Sequence, residues 1–135
     1  MLENYSVNVK IKLAGLWTSL MFLYIYGDYF ELYTPNKVEY MLNADVILNS
    51  PAKLFAASFI LALPALMISL SLTLRPKINK LLNIVVAGLL TIVVGLVIST
   101  SLTPWYAFYF FYGVLEIGIT VWIIVTALKW PKVRL

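Results

Sequence analysis

The stretch Tyr24–Tyr33, YIYGDYFELY, closes a run apolar enough to cross a membrane, yet it carries Asp28 and Glu31 where hydrocarbon penalises both. Ahead of it lies LAGLWTSLMFL, residues 13–23, with no charged side chain. A membrane helix that turns acidic and aromatic at one end is the pattern to be explained. The rest of the chain supplies the context, because 62% of its 135 residues are hydrophobic and only 12% are charged. Mean hydropathy is +0.92. A water-soluble core of this size cannot absorb that apolar surface, whereas a lipid-facing one can. The sequence therefore predicts one all-α domain, residues 1–135, built as an integral membrane four-helix bundle.

Four runs have the ~20 residues needed to cross ~30 Å of hydrocarbon: about 13–33, 52–74, 81–102 and 105–128. Their ends carry helix punctuation. Ser50-Pro51 and Thr103-Pro104 each place a capping side chain before a proline at the first helical position, and Arg75-Pro76 stops the second span. Lys10 and Lys12 precede span one; Arg75, Lys77 and Lys80 separate spans two and three; Lys129, Lys132 and Arg134 follow span four. Only Lys37 and Lys53 fall on the opposite side, so the positive-inside rule predicts a multi-pass protein of the cell (inner, cytoplasmic) membrane with both termini in the cytoplasm. The aromatic, acidic flank of span one offers no small-residue cleavage site, so that span is expected to be retained. Within the first outer loop, VEYMLNADVIL, residues 38–48, predicts a short interfacial helix. The two tight connections make spans two and three, and spans three and four, antiparallel neighbours.

Small residues recur at helical spacing in span two (Ser58, Ala62, Ala65, Ser69) and span three (Ala87, Thr91, Gly95, Ser99). In lipid, helices associate through close backbone approach, so these stripes are expected to pack on each other or on a neighbouring span, with a homo-oligomer contact as the alternative. Pro64, at the centre of span two, lacks a backbone donor and is expected to kink that helix.

Glu116 is the most informative side chain. It lies ~16 Å below the outer edge of span four at ~1.5 Å per residue, near the bilayer centre. An ionised carboxylate there costs at least ~2.5 kcal/mol, so it should face the bundle interior and be protonated, hydrogen-bonded or hydrated. Tyr109, Tyr112 and Thr120 share its face. On span one, Asp28 lies ~22 Å from the inner end. Tyr24, Asp28 and Glu31 form one face there. If spans one and four are adjacent, the two stripes make a polar vestibule: Glu31 at the mouth, Asp28 and Tyr112 below, Tyr24 and Glu116 at the floor, and Trp17 closing it inward. No basic side chain is expected at that depth. The alternatives are that Asp28 and Glu31 are interfacial residues in an aromatic belt of Tyr26, Tyr29, Phe30 and Tyr33, and that Glu116 only accepts a helix-to-helix hydrogen bond from a tyrosine.

The segment Lys12–Pro35, KLAGLWTSLMFLYIYGDYFELYTP, with its aromatic-Gly-Asp-Tyr core, resembles a family of small four-helix prokaryotic membrane proteins known only as a domain of unknown function. The likeness extends over nearly the whole chain and implies the architecture without a chemistry. A looser likeness is to the four-helix sterol-isomerase and sigma-2-receptor group. That group has an acidic residue late in its first span, matched by Asp28, and a central proline in its second, matched by Pro64. Its second-span carboxylate has no counterpart here. Small multidrug transporters share four short helices and one membrane glutamate, placed in their first span rather than the fourth.

With neither Cys nor His, thiolate chemistry, thiolate metal sites and imidazole catalysis are excluded. No catalytic residue, metal site or cofactor is predicted, and nucleic acid is excluded as a partner because the basic residues sit at span ends. Three functions compete. The first is a binding or transport protein whose outward-facing acidic and aromatic pocket takes a cationic or amphipathic small molecule, with proton coupling at Glu116. The second is a non-catalytic accessory or assembly subunit docked on a larger membrane partner. The third is a lipid- or isoprenoid-modifying membrane enzyme using Glu116 and Asp28 as acid and base.

Overall fold

In the computed structural model, residues 1–134 are described; Leu135, the last residue of the expected domain, lies outside them. The described residues are all-helical: α1 (Val9–Glu31), α2 (Lys37–Leu42), α3 (Pro51–Thr73), α4 (Pro76–Thr100) and α5 (Ala107–Leu128), with a 3-10 turn at Pro104–Tyr106 before α5. Four of these, counting α5 with its preceding turn, are long and apolar enough to span a membrane.

Local signals explain the ends. Asn8 starts α1 four residues earlier than hydropathy suggests, its Oδ1 accepting the Lys10 amide at 2.9 Å. Ser50 caps α3 as expected, accepting the Lys53 amide. Arg75-Pro76 ends one helix and opens the next, so α4 begins at Pro76 rather than at residue 81. Thr103 makes no capping bond; Pro104 opens the 3-10 turn, and α5 proper starts at Ala107. The helix expected within 38–48 forms only as the six residues of α2, bounded by left-handed Asn36 (φ 62°) and Ala44 (φ 54°). Its Val38, Met41 and Leu42 are exposed.

The long helices alternate in direction around a ring in the order α1, α3, α4, α5. The α4–α5 contact is the most extensive and α3–α4 the thinnest. Spans one and four are therefore neighbours, which the linear sequence left open. The core comprises Leu13, Leu16, Trp17 and Leu20 of α1, Met67 of α3, Val86, Ala87 and Leu90 of α4, and Ile123 of α5.

The small-residue stripes divide. Ala87 is buried and Thr91 donates to Thr120 Oγ1 of α5 at 2.8 Å, so the first half of the α4 stripe points inward, whereas Ser99 is exposed. On α3, Ala62, Ala65 and Ser69 point outward instead, while Pro64, Met67 and Ser71 are buried. No residue of 51–63 is fully buried, and α3 meets the core mainly through Leu63, Met67, Ile68 and Leu70. The helix continues unbroken through Pro64, whose ring is fully buried.

α4 crowds α5 at a glycine. A Cβ at Gly113 would run into the Ile98 side chain of α4, whereas one at Gly118 would meet nothing within 4 Å. Gly113→Val is expected to cost about 1–3 kcal/mol by overpacking, and Gly118→Val much less. Equal thermal-unfolding midpoints for the two variants in detergent would contradict this contact.

Candidate functional site

At the end of the bundle carrying both termini, polar groups are fully satisfied. Trp17 Nε1 donates to Asn83 Oδ1 at 2.7 Å across α1 and α4. Asn83 Nδ2 donates to Asn79 Oδ1 (2.7 Å) and to the Asn79 carbonyl (2.8 Å), and Asn79 Nδ2 donates to the Ser71 carbonyl of α3 at 2.7 Å. Trp17, Ser71, Asn79 and Asn83 are all fully buried. Trp17 thus sits in a hydrogen-bonded plug at this end of the bundle rather than in aliphatic packing alone. The Asn79/Asn83 spacing of four in an apolar helix was the available signal.

The opposite half is unlike it. Glu116, midway along α5 and 8% exposed, has no hydrogen-bond or ion-pair partner among the described residues. Tyr24 of α1 lies within electrostatic reach of it, and the Tyr24 hydroxyl is itself buried with no hydrogen-bond partner. Asp28 is exposed and also within reach of Glu116. Tyr109 completes the group, near Asp28, Glu31 and Glu116. Gly27 lets the rings in: a Cβ there would stand 3.4 Å from Tyr112 Cδ2 and 4.0 Å from Tyr109 Cε2. In the sequence Gly27 stands out only as part of the aromatic-Gly-Asp-Tyr segment that carries the family likeness, although a glycine inside an aromatic helix end also signals close approach.

Two members of the expected ladder are already partnered. Thr120 is fully buried, accepts from Thr91 and donates to the Ile117 carbonyl at 3.0 Å. Glu31 accepts from Lys37 Nζ at 2.7 Å and from Tyr106 Oη at 3.2 Å, tying the ends of α1, α2 and the 3-10 turn together. The expectation of no cation at this level is corrected by Lys37, which the Thr34-Pro35 turn folds back onto Glu31.

Burial alone would lower the Lys37 pKa, but the Glu31 hydrogen bond and charge, with Tyr106 and Asp28 behind them, outweigh it and hold the ammonium above its ordinary value. Because the folded-state value is the higher one, the stabilisation is complete below the ordinary lysine value of ~10.4 and disappears as pH rises through the folded value. The pair is partly screened, so Lys37→Met should cost about 1 kcal/mol or less. Unfolding midpoints of wild type and Lys37→Met should converge in alkaline buffer; a gap that widens there would reverse the sign.

Two open cavities lie along the α1–α5 seam. One, of about 330 Å³, is lined by Phe30, Tyr33, Thr34, Trp105, Phe108 and Tyr112. The second, of about 420 Å³, runs between Ser19, Phe22, Leu23 and Tyr26 of α1 and Tyr112, Leu115 and Ile119 of α5. Tyr112 belongs to both, and neither is lined by Glu116 or Asp28. Among the described residues no three carboxylates converge as a metal site.

Four membrane-length helices, joined by a polar plug at one end and holding one buried carboxylate, Glu116, without a partner among the described residues in the other half, define a multi-pass membrane protein. The chain belongs to DUF6326, a family of unknown function, whose model matches residues 2–135. No curated protein and no solved structure matches it.

Proposed function

We propose that this is a binding or transport protein of the cytoplasmic membrane, with both termini in the cytoplasm, that takes a cationic amphipathic small molecule from the outer side at Glu116. The basic residues at the plugged end support that orientation. One observation carries the reading: Glu116, 8% exposed at mid-helix, has no hydrogen-bond or ion-pair partner among the described residues, and the Tyr24 hydroxyl, within its electrostatic reach, is buried without one. Buried polar groups are nearly always satisfied, so this pair marks the place of a ligand. Asp28 draws the cation inward, and the faces of Tyr24, Tyr109 and Tyr112 suit its charge and apolar body. Exchange of a proton for the cation on Glu116 would couple uptake to pH.

Tetraphenylphosphonium binding to protein in lipid nanodiscs tests this. Glu116→Gln should weaken it at least about tenfold, the scale of one charge-assisted contact, with the thermal midpoint retained. Unchanged affinity would sink the assignment.

A second reading, an accessory subunit docked on a larger membrane partner, draws on the outward-facing Ala62, Ala65 and Ser69 of α3, whose first half holds no fully buried residue. It requires a second protein to remain bound on mild extraction from the native membrane, and release of the chain alone would count against it.

A further inference from the structure

We propose that the ligand of Glu116 is a single-chain cationic amphiphile drawn from the bilayer, whose head sits on Glu116 and Tyr24 and whose hydrocarbon chain leaves the bundle between α1 and α5, past Tyr112, into the Phe22–Leu115 groove. This rests on the reading of Glu116 given above and adds the class of molecule and its route.

Glu116 is 8% exposed with no hydrogen-bond or ion-pair partner among the described residues, and the Tyr24 hydroxyl is buried without a partner, so a donor or cation would satisfy both. One turn from Glu116 on the same helix, Tyr112 lies against Gly27, so no side chain of α1 backs that ring there. On the flank of this seam, Ser19, Phe22, Leu23, Tyr26, Leu115 and Ile119 line an open groove of about 420 Å³, within the ~300–1,000 Å³ of small-molecule sites. Apart from the hydroxyls of Ser19 and the tyrosines, the lining is aliphatic and aromatic. The groove offers a hydrocarbon chain packing partners on two helices while giving a charged group nothing to bind. Tyr112, Leu115 and Ile119 line the groove within one turn of Glu116 on the same helix, so a head at Glu116 and a chain in the groove match the two chemistries that α5 presents side by side. A compact hydrophilic cation would use the acid and leave the groove without purpose.

An alkyl trimethylammonium carrying a terminal diazirine is the probe, photolysed in zwitterionic nanodiscs and mapped by peptide mass spectrometry. Label is expected at Ser19–Tyr26 and Leu115–Ile119. It should fall at least about tenfold in Glu116→Gln, as removal of a charge-assisted contact implies. Ser19→Trp, which adds bulk at an exposed position in the groove, should displace the label, while Ser19→Ala should not. Label spread evenly over all four long helices, or indifferent to Ser19→Trp, with tetraphenylphosphonium binding still lost in Glu116→Gln, would overturn the chain route and leave the cation site standing. Indifference of both probes to Glu116→Gln would overturn the site and this inference with it.

Discussion

Asn83→Ala is expected to lower the unfolding free energy by about 2–4 kcal/mol, the largest loss from any single polar truncation in this protein. Asn83 accepts from Trp17, lies 3.4 Å from the Ser71 hydroxyl and donates twice to Asn79, so it joins α1, α3 and α4 at one point. Truncation strands the Trp17 indole N–H and the Asn79 side-chain carbonyl in a fully buried site, and adds a cavity. Trp17→Phe removes one donor and should cost about 1 kcal/mol. Because both variants delete the same bond, the double variant should lose less than their sum by about 1 kcal/mol. Thermal or dodecyl-sulfate unfolding in micelles reads all three. Strict additivity would show that the two side chains do not share a bond.

Glu116→Leu is expected to act in the opposite direction, raising stability by about 1–3 kcal/mol while removing cation binding. A carboxylate at mid-membrane depth costs at least ~2.5 kcal/mol unless satisfied, and Glu116 has no partner to offset that cost. Leucine matches its size closely and keeps the helix, so the buried position gains apolar packing. Stability given up at a functional site is the usual reason such a residue persists. Destabilisation by more than about 1 kcal/mol would mean instead that Glu116 holds the bundle together through a hydrogen bond, and the ligand assignment would fall with it.

These opposite signs come from two buried polar clusters, and the sequence distinguished them unequally. Glu116 could be placed by counting, because Pro104 fixes where the last helix begins and each residue adds a constant rise. Its isolation could not be counted, since it depends on which side chains of α1 and α4 arrive beside it. Glu31 looked like the outer rung of the same ladder. Its ion pair with Lys37 forms across a turn whose path depends on Asn36 adopting a left-handed conformation. Thr120 shared the acidic face in sequence, yet Thr91 reaches it from α4 and fixes it as a packing element. The stripe Ala62, Ala65 and Ser69 had the spacing of an interface, but α3 turns Pro64, Met67 and Ser71 inward instead.

The sequence by itself determined the number of membrane-length helices, their punctuation at Ser50-Pro51 and Arg75-Pro76, and the position of Glu116 midway along the last helix. Those follow from local preferences and from the fixed rise of a helix, which need no knowledge of neighbours. The tertiary structure alone decided which face of each helix points inward and that α1 lies beside α5. In a chain apolar on every side, hydropathy does not tell lipid from core. The choice falls to close packing and to pairing of the few polar groups: Gly27 beneath Tyr112, Gly113 against Ile98, and Trp17 on Asn83.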